Sequence, residues 1–201
     1  MNLSLAQLLP FVVFAFVASI TPGPTNLLIL GSAVSRGLLA AMPLVLGAAV
    51  GAAGLVVVVG LGLGEVFLRF PLLQQVMAWV GMGWITWLGW QLFRSPASAI
   101  EGDGGVRRVG ALQGAGMQLI NPKTWIMALS VVSVCVGVGA GMATYCVYAG
   151  VFLLVALPCL ALWAVLGVGA ARVLRSAVAV QRFNQGMAVL LVVSVWGGMF
   201  C

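Results

Sequence analysis

Apolar residues run on for twenty or more positions at a time along this chain, and its few charges mark where the runs stop. No side-chain charge precedes Arg36, residues 37–64 and 70–93 carry none, and Lys123 alone interrupts residues 109–171. A helix needs about 20 apolar residues to cross a bilayer. The gaps between charges therefore predict six helical segments, roughly 5–31, 40–63, 71–93, 111–136, 143–168 and 184–201. The runs are long and lack period-two alternation, which argues against barrel strands. One connection reads as a genuine loop, "RSPASAIEGDGGVRRVG" at 94–110, and "GVGAGM" at 137–142 offers a turn. That loop divides a single transmembrane domain, 1–201, into a first half (1–93) and a second half (111–201). Three segments per half is an odd number, so any relation between the halves has to be inverted, a frequent transporter plan. The predicted fold class is an all-α membrane protein built as two inverted three-helix repeats.

The first and fourth segments are each broken in the middle. "ASITPGPTNLLI" sets Thr21, Pro22, Gly23, Pro24 and Asn26 inside the first run, and "QLINPKTW" sets Asn121, Pro122 and Lys123 inside the fourth. A proline in a helix interior removes a donor and clashes with the preceding turn, at about 3 kcal/mol. Thr21 before Pro22, and Asn121 before Pro122, reproduce the cap-then-proline signature of a helix beginning. Each segment is thus expected to be two half-helices, the second starting afresh at mid-membrane. A helix start exposes unpaired N–H groups and the positive end of the dipole. In hydrocarbon these must face protein, water or a ligand, and a carboxylate is the natural ligand. Carbonyls released near Ala18 and Gln118 would accept from an ammonium. Structural proline kinks are the plainer explanation of either break alone. The matched pair, with a lysine attached, points to a midplane binding site. Lys123 is costly at that depth; it serves either as counter-charge to a substrate carboxylate or as a donor to freed carbonyls.

Composition fixes the solvent. Hydrophobic residues make up 63% of the chain and charged residues 6%, with a mean hydropathy of +1.21. An ordinary domain has about 25% charged residues, so lipid must cover most of this surface. The nine basic residues form no phosphate-binding run, which excludes nucleic acid as a partner. Instead Arg36, Arg94, Arg107, Arg108, Arg172, Arg175 and Arg182 follow segments one, three and five. Only Arg69, beside Glu65, follows segment two or four. By the positive-inside rule the odd connections are cytoplasmic and the carboxyl terminus is periplasmic; a re-entrant first segment would change only the amino terminus. No Lys or Arg lies at the amino terminus and the apolar run continues past Ala15–Ser19, so cleavage of a signal peptide there is not expected.

The chemistry-bearing side chains are few. Cys135, Cys146, Cys159 and Cys201 lack CxxC spacing and there is no histidine, so they read as small hydrophobes and no metal site is expected. Glu101 and Asp103 belong to the loop, which leaves Glu65 as the one other carboxylate. A cationic substrate or a metal would want acidic or soft ligands, so a neutral zwitterion fits better. If transport is proton-coupled, Glu65 and Lys123 are the candidates, since no histidine relay exists. An intramembrane enzyme would need a nucleophile–base pair or paired aspartates at depth, and a passive scaffold would not need two broken helices. Gly47, Gly51, Gly54, Gly60, Gly62 and Gly64 give segment two a small-residue surface suited to close packing. Trp84, Trp87 and Trp90, ahead of Arg94, suit an interfacial belt or an aromatic wall for substrate. Pro158 with Trp163 suggests another kink, and Asn184 a polar start to segment six.

"TPGPTNLL", "SRGL", "GAAVGAAG", "WITWLGWQLFRS", "QLINPKTW" and "RFNQGMAVLLVVSV", in that order, resemble the LysE/RhtB family of amino-acid exporters over nearly the whole chain. The resemblance implies efflux of an amino acid or derivative across the bacterial inner membrane, without a cofactor. It also implies a binding role for Thr21, Pro22, Gly23, Pro24, Asn26, Asn121, Pro122 and Lys123. It is closest to members exporting small neutral amino acids, including the cysteine/O-acetylserine branch; basic amino acids or a metal cation are the alternative cargo. Two departures stand out: "VCVGVGAG" replaces the Pro-Gln-Phe often found after the fourth segment, and Trp84 and Trp87 stand where tyrosines are common. The expected mechanism is alternating access, one half rocking against the other around the breaks, in a monomer or a homo-oligomer.

Overall fold

The computed structural model describes residues 5–94, 110–136, 140–173 and 176–197, which form helices and short connections with no strand among them. Helix α1 (Leu5–Ile20) is followed by α2 (Pro24–Arg36) and α3 (Leu38–Val58). A π-helical turn, Val59–Leu63, carries α3 into α4 (Gly64–Arg69). Then come α5 (Pro71–Phe93), α6 (Ala111–Ile120) and α7 (Pro122–Ser130), the last widening into a second π-helical stretch, Val131–Val136. The chain closes with α8 (Met142–Val173) and α9 (Ala177–Gly197).

Leu38–Leu63 and Met142–Val173 are each long and apolar enough to cross a membrane unbroken. Two further spans qualify only as bent pairs: Leu8–Ile20 with Pro24–Arg36 at 54°, and Ala111–Ile120 with Pro122–Val136 at 73°. These are the two segments whose prolines predict a break. Helices α5 and α9 occupy the places expected of segments three and six but are more polar. Four tryptophans and three glutamines dilute α5, and Gln181, Arg182, Asn184 and Gln185 open α9. Helix α9 also begins earlier than its apolar run, because the Ser176 hydroxyl accepts from Ala179 N at 3.1 Å and caps it. The loop at 94–110 falls almost wholly outside the described residues, as does the turn at 137–139.

Packing is organised around α3, which lies against α6 and α8, while α8 also backs α1 and α2. The main core gathers Phe11, Ile29, Leu44, Leu55, Val131, Tyr145 and Phe152, all essentially inaccessible. Phe11 meets Tyr148 edge to face at 4.8 Å. Helices α5 and α9 form a pair of their own, joined to the rest chiefly where α9 meets α2. Trp196 Nε1 donates to Thr86 Oγ1 at 3.1 Å across that pair. The outside is as apolar as the inside: Leu39 and Leu112 are both 87% exposed, Val134 83% and Leu154 71%. A water-soluble protein does not display such a surface, and a helix bundle that does so is solvated by lipid tails.

Helix α8 runs through Pro158 as one assigned helix. One sequence expectation is corrected. Gly54 faces no neighbour, unlike Gly47 and Gly51, so the small-residue surface is narrower than the glycine spacing suggests. Trp90 lies on the outside, stacked on Phe93 at 6.1 Å with Arg94 over its ring at 4.5 Å, which suits the belt, of the two expected alternatives, better than a substrate wall. Gly62 does have a conformational reason: its φ of 111° breaks the π-turn, and a side chain there is strained by about 1–2 kcal/mol. Gly62→Ala should lower the thermal midpoint of the detergent-purified protein by a few degrees. An unchanged midpoint would mean that this turn relaxes freely.

Candidate functional site

The two breaks meet at one place. Thr21 closes α1: both its N–H and its hydroxyl donate to Val17 O, the former at 3.0 Å. Gly23, extended at φ −165°, is the N-cap of α2, with Pro24 in the first helical turn and Leu27 N donating to Gly23 O at 3.0 Å. The first break is therefore built as Gly-Pro, two residues later than the Thr21–Pro22 signature suggests. Pro22 ends a helix and Pro24 starts one. At the second break the expectation is met. Asn121 is the N-cap of α7, Pro122 follows, and the Asn121 side chain accepts from Lys123 N at 3.1 Å. Aligned on their helix starts, Pro24 corresponds to Pro122, Thr25 to Lys123 and Asn26 to Thr124.

Equivalent positions then do equivalent things. At the third helical position, Asn26 Nδ2 reaches back to Ser19 O at 2.8 Å, and Thr124 Oγ1 donates back to Gln118 Oε1 at 2.8 Å. Each residue bridges its own break. The residues at the second helical position cross to the other break. Lys123 Nζ donates to Thr21 O at 2.7 Å. Thr25 Oγ1 accepts from Asn121 Nδ2 at 3.2 Å and from Gln118 Nε2 at 3.3 Å. Two tryptophans serve further carbonyls at the breaks: Trp163 Nε1 donates to Ile20 O at 3.2 Å and Trp125 Nε1 to Leu119 O at 2.7 Å. Four carbonyls at the ends of α1 and α6, those of Ser19, Ile20, Thr21 and Leu119, are thus paired by side chains, as an apolar surround requires. Gly23 has a steric reason to lack a side chain, because a Cβ there would lie 3.1 Å from Lys123 Cδ and Nζ.

Ser19, Thr25, Asn26, Gln118, Asn121 and Thr124 are buried together. They line a cavity of about 40 Å³ with Ala18, Lys123 and an apolar wall that includes Ala48, Ala52 and Phe152. A volume near 40 Å³ holds two or three waters, too little for an amino acid. Within it the hydrogen bonding is incomplete in an informative way. Ser19 Oγ is buried without a partner, and Gly23 gives the first turn of α2 no side-chain acceptor. Asn121, in contrast, has already occupied the start of α7.

Of the residues singled out by sequence, Asn26, Asn121 and Lys123 line the cavity. Thr21, Pro22, Gly23, Pro24 and Pro122 shape the two breaks around it. Glu65 falls in α4, beyond the π-turn, and its side chain is outside the described residues. Sequence reasoning missed Ser19, Thr25, Gln118 as a side chain, and Thr124. Their signal is present but diffuse, as polar residues flanking each break within otherwise apolar runs. Cys159 is buried and Cys135 half-buried, both as free thiols within the helices.

A multi-pass membrane protein with a buried polar site between two broken helices is the class these observations define. A family model described as LysE type translocator matches residues 16–195, and the chain belongs to that family. Among curated proteins it is 30% identical over 126 residues to a cysteine/O-acetylserine efflux protein of Klebsiella pneumoniae, covering 61% of this chain and 62% of the relative. A protein of the same description from Salmonella paratyphi A is 30% identical over 128 residues, with the same coverage. An uncharacterized membrane protein of Vibrio cholerae is 28% identical over 125 residues, covering 61% of each chain. The match thus spans less than two thirds of the length of these relatives. No solved structure matches.

Proposed function

We propose that this protein is a secondary-active exporter of a small neutral amino acid or derivative, of the cysteine or O-acetylserine kind, from the cytoplasm to the periplasm of a bacterial cell. The observation that carries the reading is the union of the two breaks around one buried polar cavity, with Lys123 of the second break bonded to Thr21 O of the first. The relatives described as cysteine/O-acetylserine efflux proteins point the same way. A zwitterion suits the groups that remain unspent. Its carboxylate would take the uncapped start of α2 and the Lys123 ammonium, and a side-chain donor, where the substrate has one, the Ser19 hydroxyl. Ala48 and Ala52 opposite leave room for a short side chain and offer a basic one no counter-charge.

The reading includes the inverted arrangement of residues 1–93 and 111–201 in the inner membrane. The odd connections are cytoplasmic, the carboxyl terminus is periplasmic, and the halves alternate around the cavity. The reciprocal crossing of Thr25 and Lys123 supports it, because an inverted pair of breaks would exchange contacts in this way. The cavity must widen to admit substrate, which requires the Lys123–Thr21 link to open. Proton coupling, with Glu65 or Lys123 as the titrating group, is part of the same proposal.

Proteoliposomes loaded with cysteine, O-acetylserine, threonine, leucine or lysine provide the test. Counterflow should appear for short neutral substrates and stay at background for lysine; lysine transport at a comparable rate would overturn the cargo assignment. Ser19→Ala should slow export of hydroxyl- or thiol-bearing substrates about five- to tenfold, the worth of one hydrogen bond to a buried group, and leave alanine export nearly unchanged. An equal loss for both would make Ser19 structural.

A further inference from the structure

The two breaks meet at one cavity but are not built alike. The second is short and supplies its own supports. Asn121 alone separates α6 from α7, and its side chain accepts from Lys123 N and caps the helix that follows. Thr124 bonds Gln118 and Trp125 bonds Leu119 O, both within that pair of half-helices. The first break is longer and borrows its supports. Thr21, Pro22 and Gly23 separate α1 from α2, and no side chain caps α2. Asn26 holds Ser19 O from within the pair. Thr21 O and Ile20 O are held from other elements, by Lys123 of α7 and Trp163 of α8.

Trp163 stands at a junction. It is half-buried and packs against the main core, against the Leu27–Ile85 cluster and against the cluster of Leu30, Val34 and Val180. Its ring therefore sits where α8 meets α2 and the α5–α9 pair. A bulky ring in close-packed surroundings has little freedom of its own, so its N–H follows those helices. Through the bond to Ile20 O, their displacement reaches the last turn of α1. Ser19, the next residue back, lines the cavity with its unpartnered hydroxyl. Trp163 is not among the cavity-lining residues, and it acts on the site through the backbone of α1.

We infer that the first break is the moving member of the pair, and that Trp163 is the positioning residue that ties it to α8. A helix end whose partners lie on its own pair carries them along when it moves. One whose partners lie on other elements keeps its place only while those elements stay put, and so belongs to the less stable parts of a structure. Two breaks with equivalent supports would exchange roles between the two halves of a transport cycle. Here the second break serves as the fixed post and the end of α1 as the part that swings, which rests on the transport reading for what the movement accomplishes.

Hydrogen–deuterium exchange of the full-length protein in lipid nanodiscs, without substrate, tests the movement apart from the cargo. Amides in residues 15–30 should exchange about tenfold faster than those in 115–130, the scale of one hydrogen bond to a buried group. Equal protection of the two segments overturns the asymmetry, and that comparison needs no variant. Trp163→Phe keeps a ring at the junction and removes the donor. It should speed exchange in 15–30 by about another tenfold and leave 115–130 unchanged. No change in 15–30, or an equal rise in both segments, overturns the role of Trp163. Counterflow of cysteine by the same variant should lose about tenfold in maximal rate, with the half-saturating concentration kept within about twofold. The opposite split would place Trp163 in binding and not in positioning. A wild-type protein without counterflow for any cargo would count against the transport reading, while the exchange pattern would still decide which break moves.

Discussion

Lys123→Met is expected to reduce export about a hundredfold while the protein still reaches the membrane. The ammonium makes a charge-assisted bond to Thr21 O at 2.7 Å. Such a bond is worth about 1.5–3 kcal/mol, and a buried carbonyl left without a donor costs about 1–3 kcal/mol. In the proposed mechanism the same ammonium transfers from that carbonyl to the substrate carboxylate as the cavity opens. The methionine variant loses the counter-charge at the step that needs it. Methionine fills similar volume, so packing against Gly23 is largely kept, and a loss of transport without a loss of expression separates charge from fold. Asn121→Ala should act on the same step by another route, freeing the start of α7 and removing a donor from Thr25 Oγ1. Counterflow in proteoliposomes, normalised to folded protein, measures both. A methionine variant that transports at the wild-type rate would remove Lys123 from the mechanism and leave it as a tie between two helices.

The location of the breaks was legible in the sequence, because prolines inside long apolar runs admit few explanations. Their register was only half legible. "TPGP" offers two candidate starts, Thr21–Pro22 and Gly23–Pro24, and a threonine cap is the stronger signal. The chain uses Thr21 to finish α1 and the side-chain-free Gly23 to begin α2, since anything bulkier at 23 would crowd Lys123. That constraint comes from a residue one hundred positions away and cannot be seen locally. The same holds for Thr25 and Gln118, which meet only once the two breaks are together, whereas Thr124 pairs with Gln118 across its own break. Helix limits followed the gaps between charges closely, except at α9. There a capping serine extends the helix into polar sequence, where the hydropathy pattern is silent.

Gly51→Ala is expected to destabilise the protein by about 1–3 kcal/mol, whereas Gly54→Ala, one turn along the same helix, should be neutral or slightly stabilising. Helix propensity favours both changes by about 1 kcal/mol, so the difference comes from packing alone. A Cβ at Gly51 would stand 2.7 Å from Ala115 Cα and 3.1 Å from Gln118 Cγ, whereas one at Gly54 meets nothing within 4 Å. Gly47 faces the Ala111 backbone in the same crossing, and a Cβ at Gly114 would stand 2.7 Å from Leu44 O. Helices α3 and α6 thus touch backbone to backbone, the arrangement small residues permit in lipid. The consequence reaches the site, because α6 ends at the second break and Ala48 and Ala52 of α3 form the cavity wall. Pushing α6 outward moves Gln118 away from Thr25. Gly51→Ala should therefore also slow export beyond its effect on the amount of folded protein, and Gly51→Leu should prevent folding. Thermal midpoints and export per folded molecule, compared between Gly51→Ala and Gly54→Ala, decide the matter. If the two variants behave alike, the α3–α6 contact does not hold the second break in place.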